Sequence, residues 1–352
     1  MIKKMYTALL IACLFSACKE PQPPVLGAYE EGVFTVNEGV FGQTSGTITH
    51  FNRTTKTTQT KIFKQVNQRD LGDVVQSMCF YEDKAYIVVN NSNKIEVVDA
   101  NTFEEKAQIM GLKLPRYFLP ISSTKAYVSE WGADGLTGTV GVLDLTTNTL
   151  SNQIVVGKGP ERMLLKDGKV FLTHVGGYGS NNIVTVLNTA TDQVEATINV
   201  LDKPSACVED GDGNLWVACA GQVAYLTYPT IDTINSTASG LVQIDPNTHA
   251  VLATHSFGKG KPVGNLIINS NLNNELYYTR SNKVWKYTTT TGVEEELFEG
   301  SFYGLGFDPN TNYIYAATSS GVNLATAKRY QTDGTLVDNY SVGVFANSFV
   351  TK

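Results

Sequence analysis

With 352 residues, the chain is long enough for two ordinary domains or for one large repeat domain. Charged residues make up 17%, below the roughly one quarter of an average soluble domain, and Thr, Asn, Gly and Tyr fill the gap, as short strands and many turns require. A formal net charge of −6 argues against a nucleic-acid partner, which would want a basic stripe, and past the leader no apolar stretch is long enough to span a bilayer.

Residues 1–18 read as a lipoprotein signal peptide. Lys3 and Lys4 form a basic start, and Tyr6 to Phe15 is the apolar segment. Leu14-Phe15-Ser16-Ala17-Cys18 then places small residues before a cysteine, the pattern that a lipoprotein signal peptidase cleaves. Cys18 is therefore expected as the lipidated first residue of the mature chain. Leu10-Ile11-Ala12-Cys13 is a weaker rival, because it leaves too short an apolar core. Lys19-Glu20 resembles the charged surface-export signal of Bacteroidetes lipoproteins. Residues 19–31 are expected as a tether, stiff from Pro21 to Pro24. The expected location is the outer membrane, at the cell surface, with membrane contact through the lipid anchor only.

Residues 32–352 read as one repeat domain. Second strands of successive units are predicted at Gly32 to Asn37, Lys84 to Asn90, Lys125 to Glu130, Lys169 to His174, Asn214 to Ala218, Glu275 to Arg280 and Asn312 to Thr318. With Val33, Ala85, Ala126, Val170, Leu215, Leu276 and Ile314 as markers, all intervals but the first and fifth lie near about 40 residues, the length of a propeller blade. The unit from Gly157 to Val200 shows the pattern whole: strands at Met163 to Leu165, Lys169 to His174, Ile183 to Leu187 and Gln193 to Val200, with Asp167-Gly168 at the first turn. Innermost strands precede the other markers at Ser77 to Tyr81, Tyr117 to Ser122, Ser205 to Val208, Asn265 to Asn269 and Gly304 to Phe307. The first marker lacks one, and Ala346 to Thr351 is left over at the other end. The prediction is an all-β, seven-bladed β-propeller of four-stranded antiparallel blades, its ring closed by the C-terminal strand joining the N-terminal blade.

The long intervals are assigned to insertions at Ala220 to Ser239 and Glu38 to Ser45, and no helix is expected beyond the leader. Asp99, Asp144 and Asp245 open turns and are read as structural. Asp210-Gly-Asp-Gly-Asn214 resembles half a calcium loop, but Leu215 stands where glycine is needed, so it is read as a hairpin turn. Asp232-Thr233-Ile234 matches a loose O-glycosylation pattern. Cys79, Cys207 and Cys219 remain in the mature chain; an odd number does not suggest a disulfide framework, and they are read as small buried hydrophobes.

No nucleophile elbow, Walker loop, dinucleotide fingerprint or His-Glu-x-x-His occurs, so no catalytic residue, metal ligand or cofactor is assigned. What remains is a face. Loops between blades and loops after second strands gather at one end of a propeller axis, on a rigid scaffold. The candidate ligand-binding residues at that end are Asn37, Glu38, Asp73, Gln76, Asn90, Arg116, Tyr117, Glu130, Trp131, Arg162, His174, Tyr178, Arg280 and Tyr303. Arg69, Asn91, Glu161, Lys203, Lys261, Phe302 and Phe345 share it. Aromatics mixed with arginines and amides suit a large polar-edged ligand or a protein partner.

Lys203-Pro-Ser-Ala, Gly157-Lys-Gly-Pro and Lys94-Ile-Glu-Val-Val-Asp99 resemble the YVTN, or YncE-like, seven-bladed propeller family. Val36-Asn-Glu-Gly39, Leu71-Gly-Asp-Val-Val-Gln-Ser-Met78 and the run from Ile87 to Asp99 resemble its Bacteroidetes surface lipoproteins. Members of the BtuG type capture cobalamin and pass it to a TonB-dependent transporter; others have no known ligand. The resemblance implies a non-enzymatic surface propeller that captures a small molecule, a corrinoid among the candidates, for such a transporter. A scaffold for proteins or glycans is the alternative. An enzyme of lactonase or quinoprotein type would need Glu38, Asp73 and Glu130 to converge on a metal.

Overall fold

The computed structural model describes residues 27–318 and 321–352, so the leader, Cys18 and the Pro21 to Pro24 stretch lie outside the described residues. Residues 27–31 are anchored: Tyr29 is buried with its ring 5.2 Å from His50 and 5.4 Å from Phe103, and its amide donates to the Asn101 carbonyl.

The chain is almost all β. Consecutive strands form antiparallel four-stranded sheets, and one eight-stranded sheet arises where the last unit meets the first. The predicted second strands are observed within a residue or so, for example Lys84–Val89, Lys125–Glu130 and Lys169–His174. Their central residues are buried, because neighbouring sheets cover both faces. Apolar side chains therefore meet between sheets. Phe34 and Ile48 of one sheet pack on Ile87 and Val89 of the next, and Trp216 and Phe257 pack on Tyr278 and Tyr287.

The innermost strands are Val75–Tyr81, Pro115–Ser122, Pro160–Lys166, Pro204–Glu209, Val263–Ile268, Phe302–Asp308 and Ala346–Thr351. Each neighbours the next, and the last neighbours the first. Such a closed ring of radial sheets is a β-propeller. Ala346–Thr351 pairs antiparallel with Val33–Asn37, Val33 facing Thr351, while Ser348 bridges to Leu305 of the preceding sheet. The C-terminal strand thus closes the ring, as the strand order predicts. A buried ion pair latches the same seam. Arg53 donates through Nε to Asp308 Oδ2 (2.7 Å) and through its second amino nitrogen to Oδ1 (3.1 Å), and it also donates to the Lys352 carbonyl.

The structure corrects the reading in two places. Ile62–Asn67 is an α-helix, and it lies between the two-residue outer strand Thr58–Gln59 and the next sheet. It shares the first long interval with the Glu38 to Ser45 loop. Ile62 and Phe63 bury it, and six residues are too few to leave a periodic signal. The innermost strands also begin two or three residues earlier than expected in several units. The insertion and the turn aspartates lie as expected. The insertion forms a hairpin of Ala224–Thr227 and Thr230–Asp232. Asp99, Asp144 and Asp245 accept turn amides. Asp210 accepts the amides of Asp212 and Asn214 and the Trp216 indole N–H at 2.7 Å. The three cysteines are free; only Cys219 is fully buried, whereas Cys79 and Cys207 are half-buried, and Cys219 faces Pro204, not Cys207.

Candidate functional site

The early start of the innermost strands builds the site. In each of them the ladder to the second strand skips one or two residues near its first end. Gln76 is skipped between Val75 and Ser77. Arg116 and Tyr117 are skipped after Pro115, and Glu161 and Arg162 after Pro160. Ser205, Asn265, Tyr303 and Asn347 are left out in the same way. A bulge re-aims its unpaired side chain. Here the bulged side chains all point at one axial cavity of about 210 Å³, completed by Glu38, Val175 and Ala206. In five units the residue just before the strand has positive φ: Val74 57°, Leu114 48°, Gly159 56°, Lys203 55° and Phe345 52°. That conformation is costly for a β-branched valine, so the entry into the bulge at Val74 is held by the surrounding sheets.

Most of the cavity wall is one continuous polar network. Tyr303 donates its hydroxyl to Glu38 Oε2 (2.7 Å), and Asn347 donates to Glu38 Oε1 and to the Gln76 carbonyl, both at 2.9 Å. Arg116 donates to the Gln76 side-chain oxygen and to Glu161 Oε1, at 3.0 Å from its Nε. Burial pushes the Glu161 carboxyl above its usual range, while the adjacent Arg116 charge opposes that push. Burial and the neighbouring Glu38 raise the Tyr303 hydroxyl, so it stays a donor.

Arg162 differs from its neighbours. Its guanidinium lies 4.6 Å over the Tyr117 ring and makes no hydrogen bond among the described residues. It also lines a second recess of about 280 Å³ further along the axis, beside Cys207, Leu266, Leu305 and Phe349.

A family match extends over residues 31–345. The chain belongs to the DUF5074 family. That family is a domain of unknown function. No curated protein matches the chain. Among solved structures, the DUF5074 chain is similar to a quinoprotein alcohol dehydrogenase-like protein of Bacteroides thetaiotaomicron. They share 14% identity at a TM-score of 0.65, over 92% of this chain and 77% of that one. A proposed 6-phosphogluconolactonase of Bacteroides fragilis is 12% identical at a TM-score of 0.65, over 92% and 98%. Kuenenia stuttgartiensis hydrazine synthase is 16% identical at a TM-score of 0.61, over 76% and 85%. At such identities the likeness concerns the fold alone.

Of the residues expected at the face of this DUF5074 chain, Glu38, Gln76, Arg116, Tyr117, Glu161, Arg162 and Tyr303 line the axial cavity. Trp131 sits behind it, its ring 4.1 Å under the Arg116 guanidinium and edge-on to the exposed Tyr178 at 5.8 Å.

The others are placed elsewhere. Asn37 is buried, donating to the Thr47 carbonyl and to Thr49 and accepting from the Gly343 amide. Asn90 ties the Pro115 carbonyl at 2.9 Å. Glu130 accepts from the Lys113 amide, Gln153 and Thr139 inside its own sheet, where burial raises its carboxyl. His174 is buried between the Lys158 carbonyl and the Thr185 hydroxyl, and burial lowers its imidazole to about 4. These four end or follow second strands. Their side chains are engaged by partners within the fold and do not line the axial cavity. Asp73 pins the first insertion by accepting the Gly42 amide and the Asn91 side chain. Glu38, Asp73 and Glu130 therefore do not converge.

Arg280 lines a different groove, of about 320 Å³, between the insertion hairpin and the sheets that follow. There its guanidinium is packed between Phe257 (4.1 Å) and Trp285 (4.3 Å) and paired with Glu294 (2.9 Å). Ser205, Asn265 and Asn347 were not among the predicted residues. Their signal was a Pro or small residue just before them, as in Lys203-Pro204-Ser205 and Phe345-Ala346-Asn347.

Proposed function

We propose that this protein is a non-enzymatic, ligand-capturing propeller of seven blades, anchored through Cys18 to the outer membrane at the cell surface, and that it delivers its ligand to a TonB-dependent transporter. One observation carries the reading: each innermost strand places a bulged side chain on a single axial cavity. A ring of groups already fixed by hydrogen bonds suits recognition, whereas proton transfer wants a base free to take up a proton. Both carboxylates of the cavity, Glu38 and Glu161, are engaged.

The proposed ligand is a corrinoid, as in the BtuG-type relatives of the YncE-like propellers. A cavity of about 210 Å³ receives one end of such a molecule, and its ring then lies across the mouth, over Tyr303 and Phe345 on one side and Trp131 and Tyr178 on the other. Isothermal titration of the chain from Pro21 onward with cyanocobalamin tests this. Tight one-to-one binding, weakened by Tyr303→Ala and Trp131→Ala, is the expected result. An absence of binding removes the corrinoid.

A second reading, a scaffold for protein or glycan partners, is favoured by the insertion hairpin. Tyr225, Leu226, Tyr228 and Ile234 stand exposed along it, as contact residues do.

A further inference from the structure

The cavity is divided electrostatically. On one side Tyr303, Glu38, Asn347, Gln76, Arg116 and Glu161 satisfy one another. On the other side stand Arg162, Val175, Ser205 and Asn265. Glu38, Glu161, Arg116 and Arg162 are the ionisable pairs of opposite sign there, and their formal charges sum to zero (two negative, two positive). Arg116 is spent on Glu161, at 2.9 Å. Among the described residues, Arg162 keeps its hydrogen-bonding edge unused while its face is held against Tyr117. A guanidinium fixed by stacking, with its fork open to a cavity, is prepared for a two-oxygen acceptor.

We infer that Arg162 receives an oxyanion of the ligand, a carboxylate or a phosphodiester carrying a single negative charge, at the junction of the two axial recesses. The inference rests on reading the axial cavity as a ligand site. The single charge follows from the surroundings. Arg162 offers one cation with unused donors, and Glu161 and Glu38 stand nearby, so a dianion meets repulsion that a monoanion largely avoids. The oxyanion enters from the axis, beside Ser205 and Asn265.

The test titrates acetate, dimethyl phosphate and inorganic phosphate, at constant ionic strength, into protein carrying nitrogen-labelled arginine, and follows the guanidinium signals. Saturable shifts with acetate or dimethyl phosphate are expected, with inorganic phosphate as dianion weaker. Arg162→Gln weakens the binding by at least about tenfold, the loss of a charge-assisted hydrogen bond, and Arg162→Lys recovers part of it. Preference for acetate identifies a carboxylate, and preference for dimethyl phosphate a phosphodiester. Melting curves that match wild type show that the variants fold. The inference is overturned if neither monoanion saturates wild type, or if Arg162→Gln binds as wild type does. Cyanocobalamin is titrated in parallel. Corrinoid binding untouched by Arg162→Gln sinks this inference and spares the proposed function. Monoanion binding without corrinoid binding does the reverse.

Discussion

The seam between the first and last sheets is the place where one substitution should be felt throughout the ring. Arg53 is 8% exposed and Asp308 is fully buried, and they share two hydrogen bonds across 255 residues of sequence. Asp308 also accepts from the Asn310 amide and the Thr311 hydroxyl, so it stays partly solvated by the protein when Arg53 is lost. Arg53→Met keeps the aliphatic volume and leaves the carboxylate buried without its cation. Breaking a buried pair from one side costs about 3–5 kcal/mol. For a domain of this size, with an unfolding entropy of about 2.1 cal/mol/K per residue, that lowers the melting temperature by about 4–7 °C. Replacing both partners, in Arg53→Met with Asp308→Leu, removes the stranded charge, so the double variant should lie closer to wild type than the sum of the singles, by about 2 kcal/mol or more. Urea and thermal melts followed by far-ultraviolet circular dichroism measure all four proteins. A single-variant loss below about 1 kcal/mol, or strict additivity in the cycle, refutes the view that this pair holds the seam.

Deleting Phe345 to Lys352 strips the inner strand from the first sheet and bares the edges of Val33–Asn37 and Phe302–Asp308. Aggregated or insoluble protein on size exclusion is expected, and a monomer with an unchanged melt contradicts ring closure. His174 supplies a pH dependence. The unfolded chain takes up its proton near the ordinary value of 6.5, and the folded chain only near 4. Its contribution is therefore complete above about 6.5 and falls as pH drops toward 4, by up to about 3 kcal/mol. Glu130 and Glu161, raised by burial, act in the opposite sense. The difference between wild type and His174→Gln isolates the imidazole, and equal pH profiles for the two proteins refute its role.

How much was legible can be argued from particular residues. Runs such as Ala85 to Val89 and Val170 to Thr173 identify second strands because β-branched and aromatic side chains fit a surface covered on both sides. Asp-Gly and Asp-Pro turns locate the ends, and a missing first strand with a surplus last one implies the closure. The helix at Ile62–Asn67 was too short to be seen. The direction of single side chains was harder. Asn37, Asn90, Glu130 and His174 are polar residues at the ends of apolar strands, and composition alone does not say whether such a residue faces a ligand or ties down a neighbouring loop. Here each has its partners within the fold. Ser205, Asn265 and Asn347 had the opposite fate: unexpected from the sequence, they line the cavity. A skipped rung is a property of two strands together, and the Pro or small residue before each of them is only a faint trace of it in one strand.

The bulges also separate two kinds of constraint along the same strands. Residues on the rungs decide whether the sheets pair; residues off the rungs decide what the axis presents. A substitution at Gln76, Ser205 or Tyr303 removes no rung, so it can alter the chemistry of the cavity while the pairing of its sheet persists. A lineage using this scaffold is free to drift in specificity by exchanging a handful of letters at the skipped rungs. The same positions define a compact library for an experimenter who wants the ring to recognise something new.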